Sequence, residues 1–243
     1  MKINNSERKY YNYQVIARGT ETKESLKKRF DLLTRYYNSL LIKYLPNDKN
    51  VKILDLPCGY GNILYFLQAN GYKNIIGIDL DENQIQLAKL FDFNVKLDDG
   101  IDFLKKTTEK FDCIFSVDFI EHLDKDTVLE FLELCQSKLK YGGIIVLRTP
   151  CSDGFFGAHD RYNDFTHRLS FTSIVLKHLL EMNNFNNVKI LDERPFPNSF
   201  YNIIRTLGYF PTKLLVSLIL LFLNLKPPKI WSRSMWAVAR KGK

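Results

Sequence analysis

Cysteine is scarce in this chain and never paired by spacing. Of its 243 residues only Cys58, Cys113, Cys135 and Cys151 are cysteines. No two of them make a C-x-x-C, so neither a zinc knuckle nor a disulfide framework is indicated, and a reducing, cytoplasmic compartment is expected. An N-terminal hydrophobic segment is also missing. Residues 1–8 are polar and no apolar stretch follows them, which argues against a signal peptide. Acidic residues are absent from the C-terminal end: beyond residue 193 there are nine Lys and Arg but no Asp or Glu. The first 193 residues are therefore nearly neutral, with 26 basic against 27 acidic side chains, and the net charge of +8 belongs to the last fifty. A basic tail on a neutral body is not the diffuse cationic surface that nucleic acid requires, so no nucleic-acid partner is expected.

What is present is a soluble composition, 45% hydrophobic and 26% charged, in a chain long enough to bury a sizeable core. It is organised around residues 51–64, V-K-I-L-D-L-P-C-G-Y-G-N-I-L. Val51 to Leu54 read as a buried strand, Asp55 marks its end, and Ile63 to Leu67 take up helical spacing after a glycine-rich turn. A strand, a tight loop and a helix in succession hold a nucleotide-like ligand, because Gly59 and Gly61 let the backbone approach it closely. A dinucleotide fingerprint needs a third glycine where Leu64 stands, which disfavours NAD.

An acidic strand end followed by G-x-G resembles the first motif of the class I S-adenosylmethionine-dependent methyltransferases. Pro57 replaces the commonest family glycine and removes one backbone N–H from the loop. Asp79, twenty residues after Gly59, closes a second strand over residues 74–80 and is placed to accept hydrogen bonds from both ribose hydroxyls, while Asp81 is the better helix cap. Asp99 beside Gly100 matches the family's acidic residue for the adenine amino group, with an N-cap as the rival role. The resemblance thus sets Asp55, Pro57, Gly59, Gly61, Asp79, Leu80, Asp99, Gly100 and Asp118 along S-adenosylmethionine.

On the acceptor side, the fourth strand, residues 111–117, runs into D-F-I-E-H-L at 118–123. An N/D-P-P-Y/F turn, usual for base N-methylation, is missing. Asp118, Glu121 and His122 instead resemble the E-x-x-E-H of oxygen methyltransferases acting on quinols and RNA-end ribose, with Asp for the first Glu. Residues 164–172, D-F-T-H-R-L-S-F-T, resemble a block in methyltransferases associated with bacterial surface-polysaccharide synthesis, and a histidine at the place of His167 completes a metal set in the RNA-end enzymes. Two mechanisms share these side chains. Either His167 or His122 is general base, oriented by Glu121 or Asp164, or Asp118, Glu121, His122 and His167 bind Mg²⁺ or Mn²⁺. His159, Arg161 and Arg168 lie in the polar acceptor loop, where the two arginines either grip a phosphate or stay solvated.

Alternating strands and helices give an α/β fold, and the resemblance implies a Rossmann-like seven-stranded methyltransferase sandwich in order 3-2-1-4-5-7-6 with the last strand antiparallel. Residues 1–48 form an N-terminal arm and cap helix, with Tyr11 and Arg18 either near the cofactor or on an exposed arm. Residues 49–243 form the methyltransferase domain, including an acceptor loop at 151–170 and an apolar, basic helical insertion at 196–232. Within it, residues 214–225 between Pro211 and Pro227 give about 18 Å of helix, too short to span a bilayer. Burial against the domain or in a homodimer is preferred for this run over peripheral membrane contact through residues 213–229 at the inner membrane face. The function implied is O-methylation of a sugar, nucleotide sugar or sugar-linked glycan acceptor in capsule or lipopolysaccharide-type synthesis. Quinol or small-molecule O-methylation, RNA 2′-O-methylation and a non-catalytic cofactor-binding role are the alternatives.

Overall fold

The computed structural model describes residues 21–154, 157–193, 195–197 and 199–242. Tyr11, Arg18 and the rest of the proposed arm lie outside the described residues. Seven strands make one sheet: β1 (Lys52–Asp55), β2 (Asn74–Asp79), β3 (Val95–Leu97), β4 (Phe111–Val117), β5 (Leu139–Pro150), β6 (Phe185–Asp192) and β7 (Ser234–Lys241). Their order is β3-β2-β1-β4-β5-β7-β6. β7 runs antiparallel to both its neighbours, and the other pairs are parallel, as expected from the sequence.

The two-residue period of the strands divides the core between the two faces of the sheet. Ile53, Phe115, Val146 and Trp236 point to one face, where they meet α1 (Lys23–Leu40), α2 (Asn62–Ala69) and α3 (Glu82–Lys89). Leu54, Ile114, Leu147 and Ala237 point to the other, under α4 (Gly100–Lys106), α5 (Lys125–Lys138) and α7 (Ser173–Met182). The expected cap helix is α1, which starts with a capping box between Thr22 and Ser25 and buries Leu26, Phe30 and Tyr37. It packs on α2 rather than standing free.

Two sequence expectations change. The acceptor loop is not wholly irregular, since α6 (Gly157–Tyr162) forms within it. The larger correction concerns the C-terminal insertion, where helix α8 runs from Phe200 to Phe222, 23 residues capped by the Ser199 side chain. It passes through Pro211, which sequence reasoning took as a boundary because a proline removes one helical hydrogen bond. Its length is about 34 Å rather than 18 Å, long enough to cross a hydrocarbon core. Nor is it buried: among its residues only Leu220 is.

Candidate active site

Parallel strands place their carboxyl ends on one rim, and the residues that follow β1, β2, β4 and β5 gather there. The turn after β1 is clamped by Asp79 at the tip of β2. Its Oδ2 accepts from the Gly59 N–H at 2.7 Å, and its Oδ1 accepts from the Asp81 N–H at 2.8 Å. Asp79 is 8% exposed, and burial raises its carboxyl pKa, against the pull of those two N–H bonds. The clamp is a role sequence spacing alone did not reveal, and it brings Asp79 to the same turn as the glycine loop.

The two loop glycines do different work. Gly59, at φ +52°, is uncrowded, since a hypothetical Cβ would make only an ordinary contact with Gln84 Oε1 at 3.7 Å. Gly61, at φ +102°, is required for packing, since a Cβ there would meet the Phe93 ring at 2.4 Å. Gly100 likewise makes room for Leu56, whose Cδ1 would lie 2.9 Å from a Cβ. The dinucleotide motif's third glycine has a counterpart on the neighbouring strand. A Cβ on Gly77 of β2 would meet Leu64 Cδ1 at 2.9 Å, so that glycine lets α2 settle against the sheet.

Asp55 is 1% exposed, and neither of its carboxylate oxygens has a partner among the described residues. Burial, and next the Asp79 charge, push its carboxyl well above the ordinary range. A buried acid without a donor is costly unless a ligand supplies one. Asp81 caps α3 as expected. Asp99 caps α4, accepting from the N–H groups of Ile101 at 2.9 Å and Asp102 at 3.1 Å, which is the rival role read for it. Leu80 is 46% exposed at the rim, and Pro57 is partly buried.

Beyond β4 the chain makes a 3₁₀ turn, Ile120–His122, that aims Glu121 inward and His122 at the acceptor loop. Backbone N–H groups of Arg168 and Leu169 donate to the Glu121 carbonyl at 2.8 and 2.9 Å, stitching residues 164–169 over the turn. His167 thereby reaches His122, with ring centroids 4.8 Å apart. One ligand atom each from Glu121, His122 and His167 lies within 4.8 Å of the others. His167 Nδ1 is 3.0 Å from the Asp160 carbonyl, which can only accept, so Nδ1 carries the proton and Nε2 the lone pair. The Thr166 hydroxyl donates to Asp164 Oδ1 at 2.6 Å and so accepts from His122 Nδ1 at 3.0 Å. That arrangement fixes the same tautomer on His122.

Glu121 is 1% exposed, with Oε2 accepting from the Thr149 hydroxyl at 3.0 Å and Oε1 without a partner among the described residues. Burial, and next the Asp118 charge, push its carboxyl well above the ordinary range.

Asp118 does not join this group. It is held by the Arg148 guanidinium, whose other edge bonds Glu193 at 2.6 Å, and Trp236 Nε1 donates to the same Glu193 oxygen at 2.8 Å. The Asp118 side chain is 43% exposed, yet desolvation by the surrounding protein raises its carboxyl pKa, while Arg148 draws it back. Of the four side chains expected to share a metal, Glu121, His122 and His167 come together, whereas Asp118 is drawn to Arg148. Arg161 is not placed to grip a phosphate, since its guanidinium donates to the carbonyls of His167 and Arg168. Arg168 lies 3.9 Å from Asp124.

The sequence pattern of the methyltransferase domain matches residues 26–190. The chain belongs to the class I S-adenosylmethionine-dependent methyltransferases. This methyltransferase is similar in structure to an S-adenosylmethionine-dependent methyltransferase from Archaeoglobus fulgidus, with TM-score 0.67 and 26% identity over 96% of this chain and 99% of that one. Among curated relatives it is 29% identical to the tRNA U34 carboxymethyltransferase of Pseudoalteromonas translucida over 63% of this chain and 50% of that protein. It is 27% identical to the mitochondrial ubiquinone biosynthesis O-methyltransferase of Dictyostelium discoideum over 47% of this chain and 40% of that one. The methyltransferase thus spans about half the length of these two relatives or less.

The loop after β1 fits the family's cofactor: a donorless Asp55, Gly59 with room beside its backbone and Asp79 converge on it. Sequence reasoning missed Arg148 and Thr149 as site residues. Their one signal was position, at the carboxyl end of a central strand, and nothing in their local pattern distinguished them from a polar strand terminus.

Proposed function

We propose that this methyltransferase transfers a methyl group to a hydroxyl oxygen of a sugar or sugar-linked acceptor in bacterial surface-glycan synthesis. The single observation that carries oxygen as the target is the histidine pair over buried Glu121, with both Nδ1 atoms committed to acceptors. A hydroxyl is a weak nucleophile while protonated, and His167 Nε2 offers a lone pair to take its proton. Asp160 holds that ring through its carbonyl, and Thr166 with Asp164 holds the His122 ring. S-adenosylmethionine, when bound, supplies an activated methyl on a sulfonium. Asp55, Gly59 and Asp79 would hold it, with Asp55 offering a carboxylate to its ammonium group. The polar acceptor loop at 151–170 supports a sugar-like acceptor.

A second mechanism rests on the convergence of the three ligand atoms within 4.8 Å. Glu121, His122 and His167 would then hold a divalent cation that acidifies the acceptor hydroxyl. A second acceptor class, a quinol or another apolar hydroxyl compound, is favoured by the exposed apolar helix α8.

The test is transfer of labelled methyl from S-adenosylmethionine to a panel of nucleotide sugars, glycans, quinols and RNA, with and without EDTA. Label entering sugar hydroxyls, and at least 100-fold loss in His167→Gln with unchanged cofactor affinity, are the expected results, the loss being on the order expected for a general base. Label entering quinol alone would overturn the sugar acceptor. Full activity after metal stripping would eliminate the cation.

A further inference from the structure

Helix α8 is amphipathic with its faces reversed. The residues it turns toward the domain are mostly polar: Asn202, Thr206, Tyr209, Lys213 and Ser217, half-buried at helical spacing, with Leu220 buried beside them. The opposite face carries Leu207, Phe210, Leu214, Leu218, Leu221 and Phe222, which are 46 to 87% exposed. Soluble domains turn such a stripe inward, so a continuous exposed one marks an interaction surface.

The helix is fastened at its middle. The Tyr209 hydroxyl donates to Asp192 Oδ2 at 2.8 Å, and the Lys213 ammonium stands 5.3 Å from the centre of the Trp231 ring. Asp192 also accepts from the Ser232 backbone and hydroxyl at 2.9 and 2.6 Å, which fixes the anchor itself. A helix held to a folded body halfway along its length cannot thread a bilayer, although its 23 residues are long enough. It can lie in the surface plane.

Charge selects the surface. No acidic residue occurs after position 193, and besides Lys213, which is turned to Trp231, Arg205, Lys226 and Lys229 lie in or just beyond the helix and are exposed. Two copies packed through this face would bring cations together with no carboxylate from the segment to offset them. An anionic lipid surface offsets the exposed ones.

We propose that α8 is an interfacial helix that seats the methyltransferase on an anionic bilayer, its apolar face in the acyl boundary. The helix follows β6 at the carboxyl rim of the sheet, and Glu193, the first residue after that strand, bonds the Arg148 that holds Asp118. Docking would therefore bring the catalytic rim next to the lipid surface. The proposal does not depend on which acceptor is methylated.

Co-sedimentation of the full chain with phosphatidylcholine vesicles, and with vesicles also containing phosphatidylglycerol, tests it. Binding to the anionic vesicles is expected, weakening as salt is raised. A Leu207→Glu/Leu214→Glu/Leu218→Glu variant should lose about tenfold or more in partitioning, since each change removes apolar area from the acyl boundary. These side chains face away from the core, so thermal unfolding should match wild type. A Lys226→Gln/Lys229→Gln variant should lose binding only to the anionic vesicles. Absence of wild-type binding, unchanged binding by the triple variant, equal binding to both vesicle types, or a lipid-free dimer that the triple variant splits would each overturn it.

Discussion

Asp55→Asn should raise the melting temperature of the ligand-free protein at pH 7 and abolish the stabilisation that S-adenosylmethionine gives. The carboxyl is raised in the folded state by burial and by Asp79, whereas in the unfolded chain it ionises near pH 4, at about 3.9. A raised native value leaves stability intact below the unfolded value and erodes it as pH climbs through the native one. The gain from asparagine should therefore be absent at pH 4 and present at pH 7, read by calorimetry at both. In wild type, cofactor at a hundred times its dissociation constant should add about 2.7 kcal/mol, and the variant should show little of this. Gly61→Ala should cost about 2 kcal/mol in urea unfolding, combining left-handed backbone strain with the collision against Phe93. Equal stability of variant and wild type would mean that the Phe93 ring moves aside freely.

Elements meet through a few polar joints as well as through the core. Arg148 on β5 ties the end of β4 through Asp118 to Glu193 after β6, with Trp236 of β7 bonded to the same glutamate. Arg148→Met would leave two carboxylates facing each other beside a buried indole. The expected cost is about 3 kcal/mol, toward the lower end for a broken buried pair because 24% of the arginine side chain remains exposed. Stability equal to wild type in denaturant titration would refute that role. The loop that brings His167 to His122 is a second joint. Thr166→Val would remove the hydroxyl that fixes the His122 ring, and an altered pH–rate profile with unchanged cofactor affinity is expected. An identical profile would show that His122 does not take part.

At the scale of the whole molecule, the neutral domain and its cationic C-terminal helix are joined at Asp192. Burial alone would raise this carboxyl, but bonds from Ser232, Tyr209 and the Trp231 backbone outweigh it and hold it below the ordinary value. Stability from a depressed carboxyl is present above the unfolded value of about 3.9 and is lost as pH falls through the native one. Acidification through that range should loosen the joint. Asp192→Ala should do so at neutral pH, at a cost of about 2 kcal/mol for several lost hydrogen bonds, and should speed proteolysis between β6 and α8. Unaltered proteolysis would show that the helix is held by other contacts.

The sequence by itself determined the succession of strands and helices and the cofactor loop, because period-two strands, helix caps and a glycine turn are local patterns written in neighbouring residues, while the strand order came only through the resemblance that this loop carries. It also singled out Glu121, His122 and His167, through the motifs they sit in. Only the tertiary structure decided which acid stays with the histidines, because Arg148 reaches Asp118 across thirty residues of sequence. It alone separated the packing glycine Gly61 from the uncrowded Gly59, since Phe93 and Gln84 come from other elements. The fate of the apolar run was likewise not local. Hydrophobicity predicts burial only where a partner surface exists, and the domain offers α8 polar anchors at Asp192 and Trp231 but leaves its apolar side uncovered.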